Sequence, residues 1–432
     1  MFGVKNKVNK INIGIIGLGT VGCGVVKTLK NFPNINIVQI AVRNKNKKRN
    51  VDNLNESIIT DNAYDIVNNP EIDIVVEVAG GVNPAFDLLT KALNNGKHIV
   101  TANKELLAKH GDELFKLANE KGLIILYEAA IAGGIPIIMP LKMTLCGNKI
   151  SKIQGILNGT TNYILTKMKE NKEPYEDVLK EAQDLGYAET DPTNDVMGYD
   201  AAYKICTLAK IGFNSQVDIN KIYTEGITKI TDEDIEFADE LGYTIKLVAQ
   251  ASLNEQSEAD IRVHPVLVKN DNVLAKISNA TNAVKVCGTP VGEVCFIGPG
   301  AGEMPTASSV VGDILILASE IENTNGTKSL CLMMKNSDTK ASQIDISQTE
   351  NEYYMLIVAQ DHKGVIGTIG KICGDNNISI QTVMQRGIEN DNMAKIVVIT
   401  SKSKENDIKN AIDEMKTNES ICTIKSLIRV LN

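Results

Sequence analysis

The sequence predicts an α/β protein: a doubly wound parallel sheet, then an α+β region, then a small module of ferredoxin-like order. Three observations carry this. The run "INIGIIGLGTVGCGVVKTLKNF" passes from an apolar strand at 11–16 through three spaced glycines into a helix ending near Lys30. Strand and helix patterns then alternate as far as residue 149, as a parallel sheet requires. Residues 352–432 read strand, helix, strand, strand, helix, strand, which is the ferredoxin-like order.

The glycine string has a steric and an electrostatic rationale. Gly17 allows the tight turn out of the strand, Gly19 lets a pyrophosphate approach the backbone, and Gly22 lets the helix pack closely on the strand. The helix N-terminus offers unpaired N–H groups and a partial positive charge to phosphate. A second strand, "NIVQIAVR", ends in Arg43, with Lys45, Lys47, Lys48 and Arg49 close behind. A reader of the ribose 2′-hydroxyl places a carboxylate there, whereas a guanidinium pairs bidentately with a 2′-phosphate. Arg43 therefore predicts NADP(H) in preference to NAD(H); a solvated basic loop is the plainer alternative. Further strands, "DIVVEVAGG" and "GKHIVTANKELL", end in small or polar residues, among them Thr101, Asn103 and Lys104. Ligands of doubly wound sheets sit at such carboxyl ends. Asn103 also reads as a helix N-cap, which would make that polar cluster structural.

Bulk composition bounds the rest. The 432 residues are enough for about three domains. A hydrophobic fraction of 43% and a charged fraction of 23% are ordinary for a globular protein, and a net charge of −8 argues against a nucleic-acid partner. The N-terminus has no run long enough for a secretory segment, no later stretch reads as a membrane span, and a cytoplasmic location is expected. The eight cysteines are scattered without a C-x-x-C pair, reading as buried small hydrophobes in a reducing compartment. The four histidines form no paired motif that could activate a cysteine nucleophile.

The segment "AETDPTNDVMGYDAAYKICTLAK" sets Glu189, Asp191, Asp195 and Asp200 against Lys204. From Met197 it reads as a helix with Asp200 and Lys204 on one face. Taken alone, such a pair is more often a solvated ion pair than a catalytic one.

Company reverses that weighting. The chain resembles the homoserine dehydrogenase family over roughly residues 10–330, through "GLGTVG", "TANKELLA", "EAAIAGGIPII", "ILNGTTNYIL", "GYAETDPTNDVMGYDAAYK" and "GPGAGEMPTASSVVGDI". The resemblance implies a Rossmann-type cofactor domain at 1–149, completed by 303–325, and a substrate-binding and dimerisation domain at 150–302. It implies NAD(P)H-dependent, reversible reduction of L-aspartate 4-semialdehyde to L-homoserine. Lys204 becomes the general acid, with Lys104 at cofactor and substrate. Thr20, Val21, Thr101 and Gly302 fall at cofactor positions, and Gly186, Glu189, Asp195 and Asp200 at substrate positions. A monovalent cation, usually sodium, is implied on the backbone carbonyls of Glu128, Ile131, Gly133 and Ile135. A homodimer or homotetramer is expected.

The middle region reads as strands "YTIKLVAQASL" and "IRVHPVLVKN" with helices on one face, and His264 as a packing residue at a strand end. A polar stretch, 326–351, reads as a linker. The tail, 352–432, resembles the ACT domain, an amino-acid-sensing module, with "QDHKGVIGTI" as its ligand loop and Gly364 and Gly367 closing on a small amino acid. The family often has Pro where this chain has Lys363. Threonine is the expected effector because this biosynthetic branch leads to it; a dimerisation module that binds nothing is the alternative. For the whole chain the rival reading is a non-catalytic regulator sensing dinucleotide and amino acid. Such a protein would be expected to carry a basic helix for DNA, which the sequence lacks.

Overall fold

The structure, a computed structural model, describes residues 10–323, 339–388 and 392–431. The chain divides into two units: Met1–Ile153 with Tyr203–Ile219 and Val284–Ala341, and Gln154–Ala202 with Asn220–Ala283 and Ser342–Asn432. In chain order the first elements are β1 (Ile11–Ile16), α1 (Thr20–Leu29), β2 (Ile35–Ala41), β3 (Ile59–Thr60), α2 (Ala63–Asn68), β4 (Ile74–Glu77), α3 (Ala85–Asn94), β5 (His98–Thr101), α4 (Lys104–Lys121), β6 (Ile125–Leu126) and α5 (Ala129–Ala132). Their six strands form one sheet of order β3-β2-β1-β4-β5-β6 with every neighbour parallel. Central β1 and β4 are almost wholly buried, which explains their continuous apolar runs. The order reverses between β1 and β4, the point at which doubly wound sheets open a crevice for a ligand.

The chain continues through β7 (Lys149–Ile156), α6 (Gly159–Asn171), α7 (Tyr175–Asp184), α8 (Thr193–Val196), α9 (Tyr199–Gly212), β8 (Tyr223–Thr224), α10 (Asp232–Glu240), β9 (Tyr243–Leu253), β10 (Ala259–Lys269), β11 (Thr281–Thr289), β12 (Gly292–Pro299) and α11 (Glu303–Asn323). In the first unit, α11 lies against α1. An added Cβ on Gly24 would sit 2.7 Å from the Glu303 carbonyl oxygen, so glycine permits the close crossing. Lys27 pairs with Glu303 at 2.6 Å. α11 is long and apolar enough by composition to cross a membrane. It is nevertheless a packed helix of this unit, with Val310, Ile314 and Leu317 fully buried.

The tail adds β13 (Glu350–Asn351), β14 (Tyr353–Gln360), α12 (Val365–Asp375), β15 (Ile380–Ile388), β16 (Met393–Thr400), β17 (Ser403–Lys404), α13 (Glu405–Lys416) and β18 (Ile421–Val430). Its strands run β18-β14-β16-β15, the ferredoxin-like arrangement. Alternate residues of β14 and β16 (Met355, Ile357, Ile396, Val398) pack against one face each of α12 and α13 through Ile369, Ile408 and Met415.

Within the second unit this sheet does not stop at the module. β18 also pairs in parallel with β10, through Val266 with Arg429 and Leu267 with Val430. β10 is antiparallel to β9 along its length, while its other edge serves β8 at Arg262 and Val263 and then β18. Pro265 falls in the gap between those partners, where its missing N–H costs no ladder bond. Buried Arg429 donates to Glu405 and, at 3.1 Å, to Glu225. Burial alone would raise the Glu405 carboxyl, but the Arg429 hydrogen bonds and charge hold it below the usual range.

Several expectations change. His264 stands in the middle of β10, buried, rather than at a strand end. Burial and the neighbouring Arg429 and Arg262 charges push its pKa well down, which fits a packing role. The helix expected from Met197 begins at Tyr199, because Gly198 turns with φ +84°. The A-A-I-A of the small-residue loop forms the short helix α5, and β11 and β12 are strands that periodicity did not single out. Of the expected linker 326–351, residues 326–338 lie outside the described residues. Its remainder includes paired segments: Ala259 donates to the Ser342 carbonyl at 2.7 Å, Ile344 donates back to Ala259 at 2.9 Å, and β13 pairs with β17.

Candidate active site

The turn after β1 is built by sterics. Gly17 has φ +105°, and a Cβ there would lie 2.8 Å from the backbone of Ala79. A Cβ on Gly22 would strike the Gly17 carbonyl oxygen at 2.3 Å, so the second glycine keeps α1 tight on the turn. Gly19 differs. It precedes α1 with φ −83°, is exposed, and a Cβ on it would meet nothing within 4 Å. Only a bound group would need that space. Thr20 is exposed and Val21 half-buried in the first turn of α1, whose N-terminus has no side-chain cap and no acid. These residues therefore fit a dinucleotide pyrophosphate.

Opposite this turn, at the other side of the sheet's switch point, lies a carboxylate that sequence reasoning passed over. Glu77, the last residue of β4, is fully buried. Its carboxylate accepts the N–H groups of Ala79 and Gly80, each at 2.9 Å, and the Thr101 hydroxyl at 2.8 Å. It thus fixes the 78–81 loop and couples it to the end of β5. Thr101 is correspondingly buried, its hydroxyl also accepting the Asn103 N–H at 3.1 Å, so its side chain braces the wall rather than facing a ligand. Asn103 caps α4 by accepting the Leu106 N–H at 3.1 Å and donates to the Gly81 carbonyl. Lys104 follows, half-buried at the first position of α4. An acid inside the apolar run "DIVVEVAGG" was the available signal for Glu77.

Arg43 lies two residues beyond β2, exposed and without a hydrogen bond or ion pair among the described residues. Arg49 plays another part. Its guanidinium donates to the carbonyls of Asn44, Lys45 and Lys47 and laces the basic loop into shape. Lys45 pairs with Asp61 at 3.2 Å.

The loop implied to hold a cation is brought against the "GPGAG" turn within the same unit. Gly133 has φ +56°, and a Cβ there would sit 2.4 Å from the Gly300 carbonyl oxygen; Gly134 donates to the Pro299 carbonyl at 3.1 Å. Gly302, φ +121°, leads directly into α11. Ile131 and Ile135 are buried. The Glu128 carboxylate is occupied by the N–H groups of Ile137, Ile138 and Met139, which leaves its carbonyl as the relevant donor. The Gly133 carbonyl accepts the Ser309 hydroxyl at 2.7 Å and keeps a second lone pair. Neutral oxygen donors of this kind fit a hard cation. Beside them the Glu128 N–H donates to Asp313, whose carboxyl burial pushes well up, against that hydrogen bond and with the Glu128 charge.

In the second unit, Asn158 organises the acidic strip. As N-cap of α6 it accepts the Thr161 N–H at 2.9 Å, and its amide nitrogen donates to Asp195 at 2.6 Å and to Asp200 at 2.9 Å. The structure thus gathers Asp195 and Asp200 on one amide. Gly186, φ +77°, turns the chain out of α7, and Glu189 is exposed with no carboxylate partner among the described residues. The turn in "ILNGTTNYIL" could be read from the sequence, but neither the capping by Asn158 nor its reach to acids 37 and 42 residues away. Asp200 and Lys204 lie four residues apart on α9, both buried, with exposures of 4% and 7%.

Comparison with known proteins follows this geometry. A model of the homoserine dehydrogenase NAD-binding domain matches residues 17–128, a homoserine dehydrogenase model matches 136–315, and an ACT domain model matches 353–419. A homoserine dehydrogenase of Synechocystis sp. is 42% identical over 433 residues, covering 98% of this chain and 100% of the relative. A crystal structure of a homoserine dehydrogenase from Thiobacillus denitrificans matches with a TM-score of 0.88 and 37% identity over 98% of each chain. A hyperthermophilic archaeal homoserine dehydrogenase in complex with NADPH matches with a TM-score of 0.63 and 29% identity, over 73% of this chain and 99% of that one.

The open space at Gly19 gives a direct test. Gly19→Ala should leave the melting temperature within about 2 °C, since φ is ordinary there and nothing is struck, a surface-like substitution. Dinucleotide affinity, read by NADPH fluorescence titration, should fall about tenfold or more as the methyl enters ligand space. Unchanged affinity would remove Gly19 from the binding surface.

Proposed function

We infer how the reaction is run from an established premise: the chain belongs to the homoserine dehydrogenase family. It is an oxidoreductase that interconverts L-aspartate 4-semialdehyde and L-homoserine with a nicotinamide cofactor. The observation that carries the site assignment is the Asp195–Asn158–Asp200 cluster of the second unit.

The bound nicotinamide supplies the hydride. Everything else falls to the chain. Gly17, Gly19 and Gly22, with Thr20 and Val21, hold the pyrophosphate against the N-terminus of α1, and Gly302 approaches the cofactor from the turn before α11. Arg43 receives the 2′-phosphate, making NADP(H) the preferred cofactor and NAD(H) the second. Thr101 acts through its bond to Glu77, keeping the 78–81 loop in place. The substrate brings an ammonium and a carboxylate. Asp195 and Asp200, with Glu189 and the turn at Gly186, form the anionic seat for the ammonium.

Negative charge develops on the aldehyde oxygen as hydride arrives, so a cation aimed there acts where the transition state needs it. Lys204 is that cation and then delivers its proton to the oxygen, while Lys104 adds a second positive charge. In the oxidative direction, neutral Lys204 takes the proton back. A sodium ion on the carbonyls of Glu128, Ile131, Gly133 and Ile135 would lock the 128–135 loop. The enzyme is cytoplasmic and works as a homodimer or homotetramer in threonine, methionine and isoleucine biosynthesis. The domains run 1–149 completed by 303–325, 150–302, and 352–432. The ACT domain senses threonine through the loop at 361–368, where Gly364 takes φ +98° before α12.

Three measurements test these assignments. Lys204→Met should cut turnover by about 10²–10⁴-fold, the worth of general acid catalysis, and near-wild-type kcat with unaltered KM would exclude it as proton donor. Wild type should favour NADPH over NADH in kcat/KM, and Arg43→Glu should reverse that order; a preference for NADH in the wild type would refute the Arg43 role. Calorimetric titration with millimolar threonine should give heat and inhibition, and the lack of both would rule threonine out.

A further inference from the structure

A continuous set of contacts inside the second unit leads from the ACT module to the acidic cluster. Arg429 on β18, fully enclosed, donates to Glu225 at 3.1 Å, and Tyr223 donates to the same Glu225 oxygen at 2.9 Å. The Arg429 guanidinium also lies over the Tyr223 ring, 5.0 Å from its centroid. These bonds hold the residue that follows β8. On its other side the segment is clamped to the substrate strip. A Cβ on Gly226 would lie 2.1 Å from the Val196 carbonyl oxygen and 2.6 Å from the Met197 Cα, and Ile227 donates its N–H to that same Val196 oxygen at 2.8 Å. Val196 closes α8, and the residue before it is Asp195, which Asn158 joins to Asp200.

We infer that Glu225 is a positioning residue for the substrate's ammonium site: gripped by Arg429 of the ACT module, it sets the 225–227 backbone against Val196 and so fixes Asp195 beside Asp200. The inference rests on the reading of Asp195 as a substrate residue. The physical requirement is backbone proximity. Gly226 has no side chain because the α8 backbone occupies that space, so any displacement of Glu225 is passed on instead of absorbed. The Glu225 carboxylate is partly exposed, at 32% of its side chain, whereas Arg429 is at 4%. The less enclosed end of the pair is therefore Glu225. The arrangement also gives the ACT module a route of action that needs no contact with the reacting atoms.

The test uses the full-length enzyme in the homoserine-oxidising direction. Glu225→Ala and Gly226→Ala should each raise the homoserine KM about 5- to 20-fold, the range of coupling through a packed path, and leave the NADP KM within about twofold. Glu225→Gln keeps an oxygen for Arg429 and Tyr223 and should recover part of the loss. A merely structural role would lower the melting temperature and the active fraction without moving the homoserine KM. Should Glu225→Ala fail to fold, Glu225→Gln carries the test through a smaller rise in homoserine KM, because Gly226→Ala strikes the Val196 oxygen directly and would move α8 whatever Glu225 does. Asp195→Asn measured alongside separates the two ideas. No change in homoserine KM there sinks the substrate assignment and the link together. A rise there, with none in folded Glu225→Ala and Gly226→Ala, sinks the link alone.

Discussion

The proposed substrate site depends on one amide holding two carboxylates. Asn158 is fixed by its capping duty at the start of α6, and it spends its two N–H groups on Asp195 and Asp200. A neutral amide can satisfy the geometry of two acids but not their charge. On the proposed assignment these acids seat the substrate's ammonium group. The other requirement of the proposed reaction, a cation for the developing oxyanion, is assigned to Lys204, four residues after Asp200 in the sequence.

The same economy explains how the cofactor half is held. Glycines make the turn, but a glycine turn has no rigidity of its own, because its backbone is the freest of any. Glu77 provides what is missing. By accepting two loop N–H groups and the Thr101 hydroxyl it converts the ends of β4 and β5 into one fixed wall, against which Gly17 is pressed through Ala79. Burying a carboxylate is costly unless its oxygens are bonded, and here three donors meet it. The acid is thus part of the cofactor site without needing to touch the cofactor.

How much of this could be read from the sequence follows from the range of the interactions. The glycine fingerprint, the N-cap at Asn103, and the strand and helix order of the tail are local patterns, and each appears in the structure where the pattern lies. What escaped is long-range. Nothing near Arg429 announces that its strand pairs with β10, and only the pairing explains why Pro265 can sit in a long strand. His264 read as a strand end because proline follows it, and the missing N–H turned out to face a change of partner instead. Thr101 drew attention as a polar residue at a strand end, while the acid that uses its hydroxyl, 24 residues earlier, hid inside an apolar run. In the basic loop, charge pattern alone could not separate Arg43, which is exposed, from Arg49, which laces the backbone.

On the proposed assignment, the contrast between an enzyme and a dinucleotide-sensing regulator turns on what the buried Lys204 does. A sensor needs the glycine turn, the Glu77 brace and the amino-acid loop of the ACT module, and all of these could serve binding alone. Burial alone does not separate the two, because Lys97 and Lys246 are buried more deeply on backbone carbonyls and serve the fold, and taking any such charge out of water costs several kcal/mol before its partners repay it. Such a cost is sustained where the charge does something that an apolar side chain of similar length could not. A transition state that generates negative charge on oxygen is such a use, since the benefit then arrives at the barrier instead of in the resting fold.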